Sequence, residues 1–242
     1  MSQRMSSQGP ARSQAPPISS KELTDLARRA VRYLLMNDLD KVPIKHNDIL
    51  KNVTKNCTKN TSQVMQLAAK MLRETYGIEL VDDGNKPNKH YLLVNCLKHQ
   101  DHISHSIATE KELALLAIIL SLIFMQTNGR WKEAGVEQGK LYAFLKLLDI
   151  DPLDHHEYFG DVKKLLESLR SQRYIQEIKI ENTDPVKYEC RWGLRACEEL
   201  SPRSALEFAS EMYGRDRIET WATQYKAVCT HENGGNVAHR SN

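Results

Sequence analysis

The feature that most constrains this chain is the run from Leu113 to Met125, 13 residues that are apolar on nearly every side of a helix. A membrane span needs about 20 apolar residues, so the run is too short to cross a bilayer. A helix that is apolar all round is instead buried on most sides. The segment Glu112 to Gln126 is therefore predicted to be the central helix of a globular domain.

Its neighbours in sequence supply the rest of that domain. Val136 to Leu148 reads as a helix with Leu141, Phe144, Leu145 and Leu148 inward, and Asp161 to Ser171 as another with Val162, Leu165, Leu166 and Leu169 inward. Tyr174 to Ile180 alternates as a strand, ENTDP makes a turn, and Val186 to Trp192 returns. The same order stands upstream. Ser19 and Ser20 offer an N-cap, and Leu23, Leu26, Ala27, Ala30 and Leu34 form the stripe of a first helix. Val31 and Leu35 lie to one side of that stripe, where they either join the domain's own core or face a partner. Pro43 breaks the chain before a short helix, Ile44 to Val53, with Ile44, Ile49, Leu50 and Val53 inward. Thr61 can cap a third helix carrying Val64, Leu67, Ala68, Met71 and Leu72, which Gly77 stops. Strands Ile78 to Val81 and Tyr91 to Asn95 flank the turn DDGNKPNK.

Three helices closed by a hairpin is the order of a winged-helix domain, and here it occurs twice. The expected fold is mainly α with small β hairpins (α+β), as tandem winged-helix domains over 20–97 and 108–200. Residues 98–107 read as a polar linker. A helical extension comes next over 201–229, started by Ser201 and Pro202, with Trp221 to Val228 docking back on the core. Residues 1–19 and 230–242 read as disordered tails, the first rich in Ser, Gln and Pro and without the apolar core of a secretory signal.

Chemistry is scarce in the sequence. It has no GxSxG, Walker loop, GxGxxG or HExxH, so no catalytic residue, cofactor or small-molecule substrate is expected. The five cysteines (Cys57, Cys96, Cys190, Cys197, Cys229) are scattered, odd in number and without a CxxC pair. That argues against a disulfide framework or a zinc ribbon and suits a reducing compartment. His99, His102 and His105 beside Asp101 are the one arrangement resembling a metal site. Three ligands on a mobile linker without a nearby cysteine seldom hold zinc, so no metal is expected there. His155 and His156 read as solvated, and the pairs Asp82–Asp83 and Glu198–Glu199 as turn and helix-start residues.

Longer strings carry a resemblance. YLLMNDLDKVPIKHNDILKNV (33–53), LLAIILSLIFMQTNG (115–129), YFGDVKKLL (158–166), YIQEIKIENTDPVKYECRWGLRA (174–196) and WATQYKAV (221–228) strongly resemble the MAGE (melanoma antigen) homology domain. Within that family the chain looks most like the ancestral branch, the non-SMC-element subunit of the SMC five/six chromosome-maintenance complex. The resemblance departs at Leu194, where the family usually carries proline after its Trp-Gly pair. It implies a non-catalytic nuclear, chromosome-associated scaffold that binds a RING-type ubiquitin ligase subunit through the first domain, where the family's paired leucines match Leu34 and Leu35. It also implies a kleisin helix in the cleft between the domains. Of the first-helix residues, Val31 and Leu35 are expected to form the surface, with Leu34 supporting it from the core.

The same branch is associated with DNA contact by its second domain. By analogy with other helix-turn-helix readers, the third helix would offer Lys163, Lys164 and Arg170, followed by Arg173, and the hairpin would offer Lys179, Lys187 and Arg191. The helix has no Asn, Gln or Arg cluster at its first turn to read bases, so binding would be phosphate-driven, sequence-independent and salt-sensitive. Residues 108–200 hold 13 basic against 16 acidic side chains, which opposes this unless Glu167, Glu177, Glu181 and Glu189 face elsewhere. Residues 20–97 hold 13 against 9, with the excess at Lys41, Lys45, Lys51, Lys55 and Lys59, a rival patch or simply a solvated face. Two other functions stay open: a stand-alone DNA-binding regulator, and a MAGE adaptor for a different RING ligase.

Overall fold

A computed structural model describes residues 19–54, 60–85, 88–97, 107–215 and 217–238. In the first half, helix α1 (Ser20–Asn37) is fixed at its start by a reciprocal cap. The Ser19 hydroxyl accepts from the Glu22 backbone N–H at 3.2 Å, and the Glu22 carboxylate accepts from the Ser19 N–H at 3.1 Å. Its inner face buries Ala27, Ala30, Val31 and Leu34 against α3 (Thr61–Met71). A wider turn, Leu72–Tyr76, extends α3 as far as Gly77, whose φ of +63° is the left-handed exit that favours glycine. Strands β2 (Ile78–Asp82) and β3 (His90–Asn95) form an antiparallel hairpin. The segment before α2 (His46–Asn52) is not helical from Ile44, because β1 (Ile44–Lys45) pairs with Tyr91 and His90 on the free edge of β3.

The second half repeats this order around α4 (Ile107–Gln126). That helix buries Leu115, Ile119, Ile123 and Phe124 completely, as its all-round apolarity requires, and it starts at the last residue of the expected linker. Val136 leaves the expected helix to pair with Cys190, giving β4 (Val136–Glu137) and a shorter α5 (Gln138–Leu147). Leu148, expected inward, ends α5 and is exposed. A two-residue ladder, β5 (His155–His156) with β6 (Gly160–Asp161), precedes α6 (Val162–Ser171), which Asp161 caps through the Lys164 N–H at 3.0 Å. Strands β7 (Ile175–Ile180) and β8 (Lys187–Trp192) complete a sheet of order β4-β8-β7, matching β1-β3-β2 in the first half.

Buried apolar side chains fall into two clusters, one per half. At roughly 1.5–3 kcal/mol for each large side chain, each cluster is a substantial core. The second is anchored by Trp192, whose indole N–H donates to the Leu120 carbonyl at 2.9 Å. Short helix α7 (Leu194–Glu199) and α8 (Pro202–Met212) come next, α8 lying across α4. The last helix, α9 (Ala222–Ala238), is longer than expected. Residues 230–238, expected from sequence to belong to a disordered tail, continue it. The Arg203–Glu232 ion pair at 2.6 Å and the edge-on contact of His231 with Trp131 hold the extra turns down. The first eighteen residues, most of the linker with its three histidines, and the final four residues lie outside the described residues.

Where α7 packs on β3, one buried side chain ties the halves together. Arg195, on α7, is fully buried. It donates through Nη1 to the Leu93 carbonyl at 2.8 Å and to Glu199 Oε1 at 2.9 Å, and through Nη2 to the Lys41 carbonyl at 2.9 Å. Its Nε donates to the Gln172 carbonyl at 3.0 Å. Leu93 and Lys41 belong to the first half, Gln172 and Glu199 to the second. The Tyr174 hydroxyl closes the set, donating to Glu199 at 2.5 Å. Burial, and then the Glu199 charge, push that phenol well above its ordinary pKa. Arg195→Met keeps the volume but strips the acceptors and leaves Glu199 without its cation. It should cost about 3–5 kcal/mol, seen as a lower urea midpoint; an unchanged midpoint would refute the role of this contact.

Candidate partner-binding site

Helix α1 and the end of α3 leave a groove of about 660 Å³ between them. Its geometry comes from where consecutive residues of α1 point. Leu34 is fully buried in the first core, whereas Leu35, about 100° further round the helix, is half-buried and lines the groove. Val31 forms part of the lining while only 7% exposed. Met71 lines it too, and Met36 and Tyr76 add exposed apolar surface at 63% and 48%. Arg28 and Arg32 give it a basic edge. Thioethers adapt to varied apolar shapes, and a lining of this kind accepts apolar anchors from a partner helix. Of the two residues that sequence spacing set beside the α1 stripe, Leu35 lies on the groove, whereas Val31 belongs to the first core and only borders it. Sequence spacing missed Met36, Met71 and Tyr76, because their convergence depends on how α1 crosses α3.

A second concavity, of about 480 Å³, lies between the two halves. Pro43 and Leu92 line it from the first half, and Arg173, Leu194 and Cys197 from the second. Gly193 is required in its wall, since a Cβ there would sit 2.1 Å from the Arg173 carbonyl oxygen. Leu194, where the family pattern has proline, therefore stands at this cleft and begins α7. Neither groove offers a ready nucleophile. Burial pushes the Cys197 thiol up and carries Cys190 up to about 12, so neither is a thiolate near neutral pH.

The seven cations expected to meet DNA are largely engaged within the protein. Lys164 pairs with Asp161 at 3.0 Å, Arg170 with Glu177 at 2.8 Å and Lys187 with Glu137 at 2.9 Å, and Arg191 pairs with Glu189. Glu177 and Glu189 thus face the cations rather than turning away. Lys163, Arg173 and Lys179 are exposed and make no ion pair among the described residues, and Arg173 lies on the interdomain cleft rather than in a common patch defined by the others. In the rival patch, Lys41 pairs with Asp38, Lys45 and Lys51 are exposed, and Lys55 and Lys59 lie outside the described residues.

Other polar residues prove structural. His156 Nδ1 accepts from the Tyr158 and Phe159 N–H groups at 3.1 and 3.2 Å, shaping the turn between β5 and β6. Asp83 accepts from the His90 and Asn85 N–H groups and orders the first hairpin turn. Glu199, read from sequence only as part of a helix-start pair, is the counter-charge of Arg195. The missed signal was the Arg195/Glu199 spacing of four residues beside Ala196, an ion pair in apolar company. Among the described residues, no group of His, Cys, Asp or Glu is arranged to hold a metal ion, and no helix is long and apolar enough to cross a membrane.

Comparison with known proteins adds kinship to this geometry. The MAGE homology domain model matches residues 30–203. The non-structural maintenance of chromosomes element 3 homolog of Homo sapiens is 35% identical over 240 residues, covering 96% of this chain and 76% of that protein. Melanoma-associated antigen D2 of Homo sapiens is also 35% identical, over 213 residues, but the chain spans only 34% of its length. Among solved structures, a chain of the Nse1-Nse3-Nse4 complex matches with a TM-score of 0.73 at 35% identity, covering 87% of this chain and 99% of that one.

Adjacent leucines in α1 should behave oppositely. Leu34→Asp places a carboxylate in a fully buried site and should unfold the first half, because an unpaired buried charge costs many kcal/mol. Leu35→Asp should cost no more than about 1 kcal/mol of stability. Equal destabilisation by the two, measured by circular dichroism on heating, would contradict the groove geometry.

Proposed function

The chain belongs to the MAGE homology domain family, and from that premise we propose that it is a non-catalytic scaffold subunit of an SMC five/six chromosome-maintenance complex, acting in the nucleus in DNA repair. The proposed partners are a RING-type ubiquitin ligase subunit, held on the α1 groove, and a kleisin segment, held in the interdomain cleft. Each half is read as a winged helix whose leftover apolar surface is given to polypeptides. Ubiquitin transfer is assigned to the RING partner, in keeping with the buried thiols of Cys190 and Cys197, which burial shifts towards the protonated form.

One observation carries this reading. Leu35, Met36 and Tyr76 are left open beside a fully packed core, in a chain that resembles, over 87% of its length, a component of the Nse1-Nse3-Nse4 complex. Apolar side chains held on a rigid helix are what a partner helix needs as anchors. The assignment of Val31 and Leu35 to the RING partner, with Leu34 as support, is part of the proposal.

DNA contact is proposed as secondary. With four of the seven candidate cations in ion pairs, binding rests on few free charges: Lys163, Arg173, Lys179 and those in the first half. It should be weak, indifferent to sequence and lost steeply with salt. A stand-alone regulator would instead prefer one duplex sequence.

In a pull-down with a RING-type ligase subunit, Leu35→Asp should remove at least tenfold of the affinity while the variant still unfolds in a cooperative transition. Retained binding by this folded variant would remove the α1 groove as the interface. In a salt titration on several unrelated duplexes, affinities should fall together; persistent preference for one sequence would favour the regulator.

A further inference from the structure

A third cavity, of about 430 Å³, lies between the loop after α4 and the side of α9. It is separate from the α1 groove, although Lys132 also borders the interdomain cleft. The loop forms a fixed wall. Thr127 Oγ1 donates to the Ile123 carbonyl at 2.7 Å, and the Gln224 side chain donates to the Met125 carbonyl and Asn128 Oδ1, each at 3.3 Å. Gly129, at φ +78°, lies so close to α9 that a Cβ would sit 2.4 Å from that of Ala227. Trp131 is buried, its ring 5.5 Å from Phe124 and 6.0 Å from Trp192, and His231 meets its edge at 5.3 Å.

Around this aromatic floor stand Arg130 and Lys132 from the loop, with Lys226 and His231 from α9. Arg130, Lys132 and Lys226 are exposed and make no ion pair among the described residues. Glu133 is the one carboxylate lining the cavity. Glu232, next to His231, is held by Arg203 of α8 at 2.6 Å. Burial, then the charge of Lys132, keep His231 below the ordinary imidazole pKa, only partly offset by Glu232. The cavity therefore gathers more positive charge than its own side chains neutralise. This contrasts with α6 and the second hairpin, where carboxylates match most of the cations.

A group carrying two negative charges and several acceptor oxygens fits that surplus. Arg offers a planar fork to such oxygens, and Lys a point charge. We propose that this cavity binds a phosphate group, presented on a phosphorylated serine or threonine side chain of a polypeptide. A nucleic acid is the poorer fit. Its charges run along a line, one per about 1.7 Å of duplex axis, and a surface for it spreads its cations along that line instead of gathering them at one pocket. An incoming phosphate dianion favours protonated His231, so occupancy should raise the His231 pKa.

The test uses the full chain, followed by NMR at the Gly129 amide, the Trp131 indole and the His231 ring. Inorganic phosphate is titrated first, then a phosphoserine peptide, the same peptide unphosphorylated, and a short duplex, all at one ionic strength. Phosphate and the phosphopeptide should move these three signals and raise the His231 pKa. Combined Lys132→Ala and Lys226→Ala should weaken phosphopeptide binding at least tenfold, with an unchanged melting midpoint because both side chains are exposed, and Lys132→Arg should retain binding. The proposal fails if the unphosphorylated peptide binds equally well, if the duplex moves the same signals with equal or greater affinity, if the alanine variant binds as before, or if His231 does not shift. Any of these leaves the α1 groove standing, since its own test is the Leu35→Asp pull-down.

Discussion

The relative placement of the two halves depends on the buried guanidinium of Arg195. Two apolar clusters that do not merge could be docked at many angles, because burial of apolar area is non-directional. A planar fork is directional. With Arg195 fully buried, every donor left without an acceptor would be costly, and its acceptors are backbone carbonyls at Lys41 and Leu93 on one side and Gln172 on the other. Glu199 supplies the compensating charge, with Asp38 3.9 Å away. A lysine at this position would provide one compact ammonium and lose the fork. The interdomain cleft inherits this arrangement. Leu92 precedes Leu93, and Gly193 and Leu194 precede Arg195, so its walls are direct neighbours of the clamp.

Much of the architecture was legible because it rests on local periodicity. The stripe of α1, the all-round apolarity of α4 and the alternation of Tyr174 to Ile180 are properties of short windows. The errors came where a residue's state depends on a distant one. Ile44 and Val136 sit in helical pattern yet pair as strands, since β3 and β8 present open edges to them. Residues from Thr230 onward carry Gly and Asn and read as a disordered tail, but α9 finds Arg203 and Trp131 to pack on. Leu148 has helical spacing but falls at the end of α5, where the chain turns away from the core.

The candidate site was half legible for the same reason. Helical geometry separates Leu34 from Leu35 without any structure, and the outcome, one buried and one lining a groove, results from about 100° of rotation. What spacing cannot supply is the second wall. Met71 and Tyr76 come from the far end of another helix, and their meeting with Met36 exists only once α1 and α3 cross. Arg195 was equally invisible, since it looks like one more surface arginine until the carbonyls around it are known.

Charge shows most clearly why counting residues is a weak guide to binding. The second half carries more carboxylates than cations, which opposes an anionic ligand when averaged. The structure shows that the average conceals two populations. On α6 and the second hairpin, cations and carboxylates alternate across strands and helix turns and neutralise each other at 2.8–3.0 Å in the pairs of Lys164, Arg170 and Lys187. Around Trp131 the cations come from a loop and a helix distant in sequence, Glu133 is the one carboxylate in the lining, and Glu232, next to His231, is drawn off by Arg203. Electrostatic attraction at a surface depends on what remains after such local pairing. An anion is therefore drawn to the place where the fold leaves its cations unmatched, and that place is set by tertiary packing rather than by composition.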